Sequence, residues 1–328
     1  ECPASVDMAR LKSEVLYQVD AFSVSRLAIQ FYGSLMKFGA IMPSLYNGVQ
    51  NLGVVKRLMG VDSRRTLPKL AKQSAAKWLA SDLAQSTPKN GSQSQQTVWL
   101  LLDLYVQYQE PTIAQAAIQS LQALGMKVNP ILMSSSPRAL LSQGLLNEAK
   151  TALTQIQQQL AEVSADDFIV GIEPSDTLVW RDEAIDLVAE NDQAWSFSSV
   201  LLFEELILQL NQTQALNFQP LRKTAWLHVH CHQKSLAKPD DVAKALQLIP
   251  ELRVNTIQSG CCGMSGEFGY KNYDISHQIA SQTLLPTLEK AEQTDLVVAT
   301  GTSCRHQISD FAEKQGLHPA EIFWMALR

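Results

Sequence analysis

The chain has 328 residues, enough for roughly two domains, and 46% of them are apolar, enough for packed cores. Charged residues make up only 18% and the net charge is −5, which argues against long disordered tails and against a nucleic-acid binder. No run of 18 apolar residues is present and no signal peptide is visible, so neither a transmembrane helix nor a secretory leader is expected.

Residues 4 to about 85 read as helical. Val6, Met8, Leu11, Val15 and Val19 recur near the helical period, with Asp7 as a plausible N-cap. A second helical stretch covers 23–60 and is interrupted at Pro43, Gly48 and Gly53. Its apolar character suits a core helix pair or an interfacial, partner-docking face. A third helix is expected over 67–84. The polar run 85–96 is the best linker in the chain.

After residue 96 short apolar runs alternate with helical segments. The runs are 98–103, 128–132, 168–172, 225–229, 254–257 and 296–299. Continuous apolar strands separated by helices predict a parallel sheet covered on both faces. An internal repeat is also visible. Trp99-Leu-Leu-Leu matches Trp226-Leu-His-Val at an offset of 127, Val128-Asn129 matches Val254-Asn255 at 126, and Phe168-Ile-Val-Gly matches Leu296-Val-Val-Ala at 128. The expected fold class is α/β: two repeated parallel-sheet halves, 97–190 and 222–328, preceded by a helical segment over 1–85 and joined by helices within 191–221.

Five cysteines are present, Cys2, Cys231, Cys261, Cys262 and Cys304, and four of them fall within 74 residues. An odd, clustered set is a poor disulfide framework and suggests a metal, cluster or redox site. Each of the four follows a predicted strand, and ligands collect beyond the carboxyl ends of parallel strands, so their sulfurs should converge. Gly260, Gly263, Gly266 and Gly301 supply backbone freedom there. Four thiolates suit a [4Fe–4S] cluster or a tetrahedral zinc, and the adjacent pair Cys261-Cys262 favours the larger cluster. Thiol chemistry is the remaining alternative, with Cys304 or Cys261 as nucleophile or the vicinal pair as a disulfide switch. His230, His232 and His306 are candidates for supporting roles around the sulfurs. His228 is expected to pack within its strand, and His277 and His318 to have structural roles. No G-x-G-x-x-G occurs, and 260–266 is a cysteine loop rather than a phosphate cradle.

The chain opens at Glu1-Cys2-Pro3 without an initiator Met and reads as a fragment or processed product. Cys-Pro before a helix is how the bacterial ferredoxin run ends. The blocks His230-Cys-His-Gln-Lys-Ser-Leu, Ser259-Gly-Cys-Cys-Gly-Met-Ser-Gly-Glu-Phe-Gly-Tyr and Gly301-Thr-Ser-Cys-Arg-His-Gln-Ile resemble the cysteine-rich CCG domain of FAD-linked oxidases with an iron–sulfur module, of the D-lactate or D-2-hydroxyglutarate dehydrogenase type. The domain type also occurs in heterodisulfide reductase and in the iron–sulfur component of glycolate oxidase. Cys2-Pro-Ala-Ser-Val-Asp-Met-Ala resembles the end of the family's ferredoxin segment, and Lys56-Arg-Leu-Met-Gly-Val-Asp with Arg65-Thr-Leu-Pro resembles its helical linker. The resemblance covers essentially the whole chain.

It implies an electron-transfer role. Cys2 would belong to a ferredoxin cluster, and Cys231, Cys261, Cys262 and Cys304 would hold a [4Fe–4S] cluster or, alternatively, zinc. FAD would sit on an upstream domain absent from this chain, so the chain would not be catalytically complete alone. Partners would be that FAD domain, the ferredoxin domain and an acceptor such as a quinone or another carrier, in the cytoplasm or peripheral at the inner membrane face. Relatives carry cysteines where this chain has Ser135, Ser136 and Asp176, and the repeat offsets point to the same three positions. The first half is therefore expected to hold no cluster of its own.

Overall fold

The computed structural model describes residues 7–19, 22–83, 96–189 and 195–328. Cys2 and almost all of the 85–96 linker lie outside them. Asp7 accepts hydrogen bonds from the backbone N–H groups of Ala9 and Arg10, both at 3.0 Å, and caps α1, Met8–Val19. Four short helices follow: α2 (Val24–Gln30), α3 (Tyr32–Gly39), α4 (Pro43–Gln50, with Pro43 in its first turn) and α5 (Gly53–Leu58). None of the described helices is long and apolar enough to cross a membrane.

The third expected helix is shorter than its sequence pattern suggested. Helix α6 spans only Ala75–Leu83, and 61–74 is irregular. That segment is used as a strap across the second half. Asp62 N–H donates to Tyr270 O at 2.8 Å. The Arg65 side chain is fully buried and donates to Gly269 O at 2.8 Å and Ser276 Oγ at 2.5 Å, with Asp310 3.1 Å away. These contacts, and Pro68 with no N–H to donate, override local helix preference.

Two four-stranded parallel sheets follow. The first contains β1 (Thr97–Leu102), β2 (Lys127–Leu132), β3 (Phe168–Gly171) and β4 (Val200–Leu202), in the order β2-β1-β3-β4. The second contains β5 (Lys223–His228), β6 (Leu252–Thr256), β7 (Leu296–Ala299) and β8 (Gly316–Leu317), in the order β6-β5-β7-β8. The fold is therefore two α/β halves of one topology. The six expected runs form six of these strands. The edge strands β4 and β8 were not expected; β4 lies inside the 191–221 stretch read as connecting helices, and the helix there is Phe203–Thr213. Two or three residues are too few to show a period.

The register reproduces the sequence repeat. Trp99 pairs with Asn129 and Ile169, and Trp226 pairs with Asn255 and Val297. Each tryptophan Nε1 donates to an aspartate, Asp167 at 3.1 Å and Asp295 at 2.9 Å. The halves also share one core. Val98, Leu100 and Leu102 of β1 and Ala225 and Leu227 of β5 belong to the same buried apolar cluster, with the helices Pro111–Ala123, Phe203–Thr213 and Pro319–Leu327. Full burial of each large aliphatic side chain there is worth about 1.5–3 kcal/mol.

One joint in this core is pH-sensitive. Glu204 accepts a hydrogen bond from Gln233 Nε2, and burial pushes its carboxyl up to about 7. The unfolded chain ionises it near the ordinary value of about 4.3. Between those values the native state binds more protons than the unfolded state, so Glu204 lowers stability as pH rises. Denaturant unfolding of wild type and Glu204→Gln should therefore give a stability difference that falls by a few kcal/mol from about pH 4 to 7 and is flat outside that window. A constant difference would contradict this assignment.

Candidate metal centre

The carboxyl ends of β5, β6 and β7 carry the four described cysteines. Beyond β5, His230 caps the helix Cys231–Leu236 by accepting from His232 N–H at 3.3 Å, which puts Cys231 in the first helical position. The loop after β6 carries Cys261 and Cys262. After β7, Gly301 leads into the helix Thr302–Ala312, with Cys304 in its first turn.

The sulfurs form a continuous chain of contacts, Cys231 to Cys261, Cys261 to Cys262 and Cys262 to Cys304. All four are free thiols, so the vicinal pair is not a disulfide in this structure. Cys262 and Cys304 are buried, and Cys231 and Cys261 are partly exposed. Hydrogen bonds from neighbouring sulfurs split their acidities. Cys261 and Cys304 are held well below the usual thiol range, and Cys231 and Cys262 are pushed above it. Four thiols this crowded cannot all ionise unless a cation takes the place of the shared protons.

The surroundings favour negative charge at the sulfurs. Gly263 N–H donates to Cys261 Sγ at 3.3 Å. Lys234 Nζ donates to Ser259 O at 2.5 Å and Gly260 O at 3.0 Å beside the cysteine loop; burial lowers its pKa while the four cysteines oppose that shift. Gly263 has φ +93°, and a Cβ there would lie 2.4 Å from Ser276 O, so the turn after the cysteine pair needs glycine. Gly301 is required by close approach. A Cβ would sit 2.3 Å from His230 Cδ2. Gly301→Ala should cost about 1–3 kcal/mol in thermal unfolding and reduce metal loading, because the His230 ring must move off the cysteine helix. Unchanged stability and loading would show that the contact is slack.

The histidines divide. His230 and His232 stack at 5.2 Å between ring centroids, and with Cys231 they place ligand atoms within 4.8 Å of one another. His306 goes elsewhere. Its Nδ1 lies 2.7 Å from Tyr270 Oη and its Nε2 3.3 Å from Thr66 Oγ1, so both ring nitrogens are engaged with the strap and its neighbour. His277 packs between Tyr273 and Phe311, and His318 caps the last helix, both structural. His228 is a fully buried strand residue of β5, as expected, and in addition a ring nitrogen lies within 4.8 Å of the ligand atoms of Cys262 and Cys304. The pleat puts it on the same face as Trp226, which packs against the cluster containing those two cysteines.

The first half acts as the wall of the site. Glu173, just beyond β3, accepts from Thr302 N–H at 2.8 Å, which places a carboxylate on the N-terminus of the Cys304 helix. Glu110 makes a two-pronged contact with Arg305, at 2.8 and 2.6 Å, and accepts from Thr302 Oγ1 at 2.9 Å. Neither Glu110 nor Glu173 was singled out from sequence. At the position repeating Cys262 and Cys304, Ser136 Oγ donates to Asp176 Oδ1 at 2.8 Å, and Arg138 N–H donates to the same oxygen at 3.0 Å. Ser136 also caps its helix. Burial pushes Asp176 up to about 6. Ser135 is half-buried beside them. No third His, Cys, Asp or Glu closes on Asp176 as a metal-type group among the described residues.

No protein-family model matches the chain. It is similar to one component of the anaerobic glycerol-3-phosphate dehydrogenase of Escherichia coli, 25% identical over 296 residues that cover 86% of this chain and 72% of that polypeptide. It is also similar to the D-2-hydroxyglutarate dehydrogenases of Pseudomonas putida, 27% identical, and of Escherichia coli, 24% identical, each over 344 aligned positions covering 98% of this chain. The chain spans about a third of the length of those two dehydrogenases, 32% in each case. It is thus related to dehydrogenase-type oxidoreductases.

Proposed function

We propose that the chain is the iron–sulfur electron-transfer portion of a flavin-linked 2-hydroxy-acid dehydrogenase, with its centre held by Cys231, Cys261, Cys262 and Cys304. The observation that carries this reading is the convergence of four free thiols from three strand ends onto one sheet edge, two of them buried. The donor set fits the group: thiolates are the ligands of such clusters, and the Gly263 amide at Cys261 is the kind of donor that tunes them. When bound, a [4Fe–4S] cluster accepts and releases single electrons. The chain's own residues do the rest. Burial of Cys262 and Cys304 keeps water off one side, Lys234 balances charge, and Glu110 and Glu173 of the first half lock the helix that carries Cys304.

On this reading FAD, the substrate and the ferredoxin clusters reside on the rest of a larger oxidoreductase, as the shared length with the D-2-hydroxyglutarate dehydrogenases suggests. Electrons would leave toward a quinone or another carrier. Stepwise reduction of the anaerobically purified protein with dithionite should bleach its visible absorbance and produce a paramagnetic signal, both reversed by a quinone. A colourless protein with stoichiometric zinc and no redox response would replace this reading with a structural zinc scaffold.

On this reading helices α1–α5 form the face that docks the rest of the oxidoreductase, its flavin-bearing portion included. Eighteen of the twenty-two exposed large apolar side chains among the described residues lie between Met8 and Leu58, far more than scattered surface apolar residues require. Charging this face with Phe38→Asp and Ile41→Asp should leave metal content unchanged and abolish association with that partner. Retained association would remove the face from the interface.

A further inference from the structure

The sulfur site has a nitrogen neighbour that the four-cysteine reading does not use. His228 is the last residue of β5 and has no exposed surface. Its Nδ1 lies 2.8 Å from Ser259 Oγ. Its Nε2 is buried with no nitrogen or oxygen partner among the described residues, and His228 makes a side-chain contact with Cys304 that favours the thiolate. The ring contributes a nitrogen to a group with Cys262 and Cys304 in which all ligand atoms lie within 4.8 Å of one another. Buried polar atoms are nearly always satisfied, and leaving one unsatisfied costs about 1–3 kcal/mol. A metal-binding histidine normally anchors its other ring nitrogen on a second group, which fixes the ring and the tautomer. Here Nδ1–H on Ser259 would leave Nε2 with a free lone pair, on a ring that groups with the two buried sulfurs. Ser259 is itself fixed, because its carbonyl accepts from Lys234 Nζ at 2.5 Å.

We infer that His228 Nε2 is a direct nitrogen ligand of the centre, which is therefore a mixed sulfur–nitrogen site rather than an all-thiolate one. The inference rests on the metal reading above and amends it: His228 takes the place of one of the two partly exposed thiolates, Cys231 or Cys261, beside the buried pair Cys262 and Cys304. His230 and His232 are the competing nitrogens, since they group with Cys231 on the more exposed side. His232 also has a buried, unpartnered Nδ1, but it groups with the more exposed Cys231 and not with the buried pair, and His230 is the weakest of the three. His230 Nδ1 is already the cap acceptor for His232 N–H, and its ring is wedged against Gly301. A nitrogen in place of a thiolate raises the reduction potential of an iron–sulfur centre. His228 is thus placed to set the potential at the buried end of the site.

The test uses the full chain, purified anaerobically with 15N-labelled histidine and reduced for electron–nuclear double resonance. Wild type should show one strongly coupled 15N. The coupling should be lost in His228→Gln and in His228→Cys, and kept in His230→Gln and His232→Gln. His228→Cys should keep its iron and show a lower midpoint potential. Ser259→Ala, which folds without a change at the ligand, should alter the coupling without abolishing it. Iron and sulfide present with no strongly coupled 15N would overturn the inference and leave the cluster reading standing. Coupling that disappears in His230→Gln or His232→Gln instead would also overturn it. Protein without iron and sulfide would overturn the cluster reading and this inference together.

Discussion

Cys304→Ser should empty the centre. Cys304 is buried, in sulfur contact with Cys262, and sits in the first turn of a helix whose N-terminus is fixed by Glu173. Serine keeps the size and capping ability of the side chain but offers an oxygen that stays protonated where a thiolate is needed. Loss of a partner that only orients a ligand costs about 10–100-fold in metal affinity, so loss of a ligand should cost more than about 100-fold. Iron and sulfide in the purified variant should fall to a small fraction of wild type, with circular dichroism unchanged. The same change at Cys2 should leave the Cys304 centre intact. Full iron retention in Cys304→Ser would remove Cys304 from the ligand set.

Arg305→Ala should give the largest loss of stability of any single change at the joint between the halves. Arg305 is buried, donates to the carbonyls of Ala299 and Thr300 at 3.1 and 2.9 Å, and grips Glu110 with two nitrogens. Burial alone would raise the Glu110 carboxyl, but the charge and hydrogen bonds of Arg305 hold it below its ordinary value. Removing Arg305 leaves Glu110, whose side chain is 28% exposed, without its partner, at a cost toward the lower end of the buried-pair range, about 3 kcal/mol. The pH dependence is specific. A depressed carboxyl contributes stability above its unfolded value of about 4.3, and that contribution is lost as pH falls through the lower folded value. Denaturant unfolding should therefore show the wild-type advantage over Arg305→Ala shrinking in acid. Arg305→Lys should recover part of the loss, since a point charge cannot reproduce the two-pronged contact. A loss under about 1 kcal/mol would mean that the pair is no more than a surface bridge.

The repeat and the cysteine site were legible in sequence for a physical reason. Inner strands of a covered parallel sheet are nearly all apolar, so β1, β3 and β7 stand out, the edge strands β2 and β6 show through their repeated Val-Asn, and each cysteine falls past a strand end where loops converge. The offsets of 126, 127 and 128 return as strand register. The same offsets align the Ser136–Asp176 contact with the Cys262–Cys304 contact, so those two positions were readable as a pair. What was not legible depends on contacts distant in sequence. The strap at 61–74 is held by Arg65 reaching residues more than 200 positions away. The nearness of His228 to the sulfurs depends on the loop after the next strand, which brings Cys262 to it and anchors its Nδ1 on Ser259. His306 was grouped with the cysteines because it is two residues from Cys304, but that spacing puts it on another side of the helix, against Tyr270.

Iron, acid-labile sulfide and zinc measured together on one anaerobic preparation of this chain bear most directly on the centre. The expected result is iron and sulfide in equal amounts, with little zinc, and loss of both in Cys304→Ser. Zinc at one equivalent without sulfide, or no metal at all with four titratable thiols at residues 231, 261, 262 and 304, would contradict it.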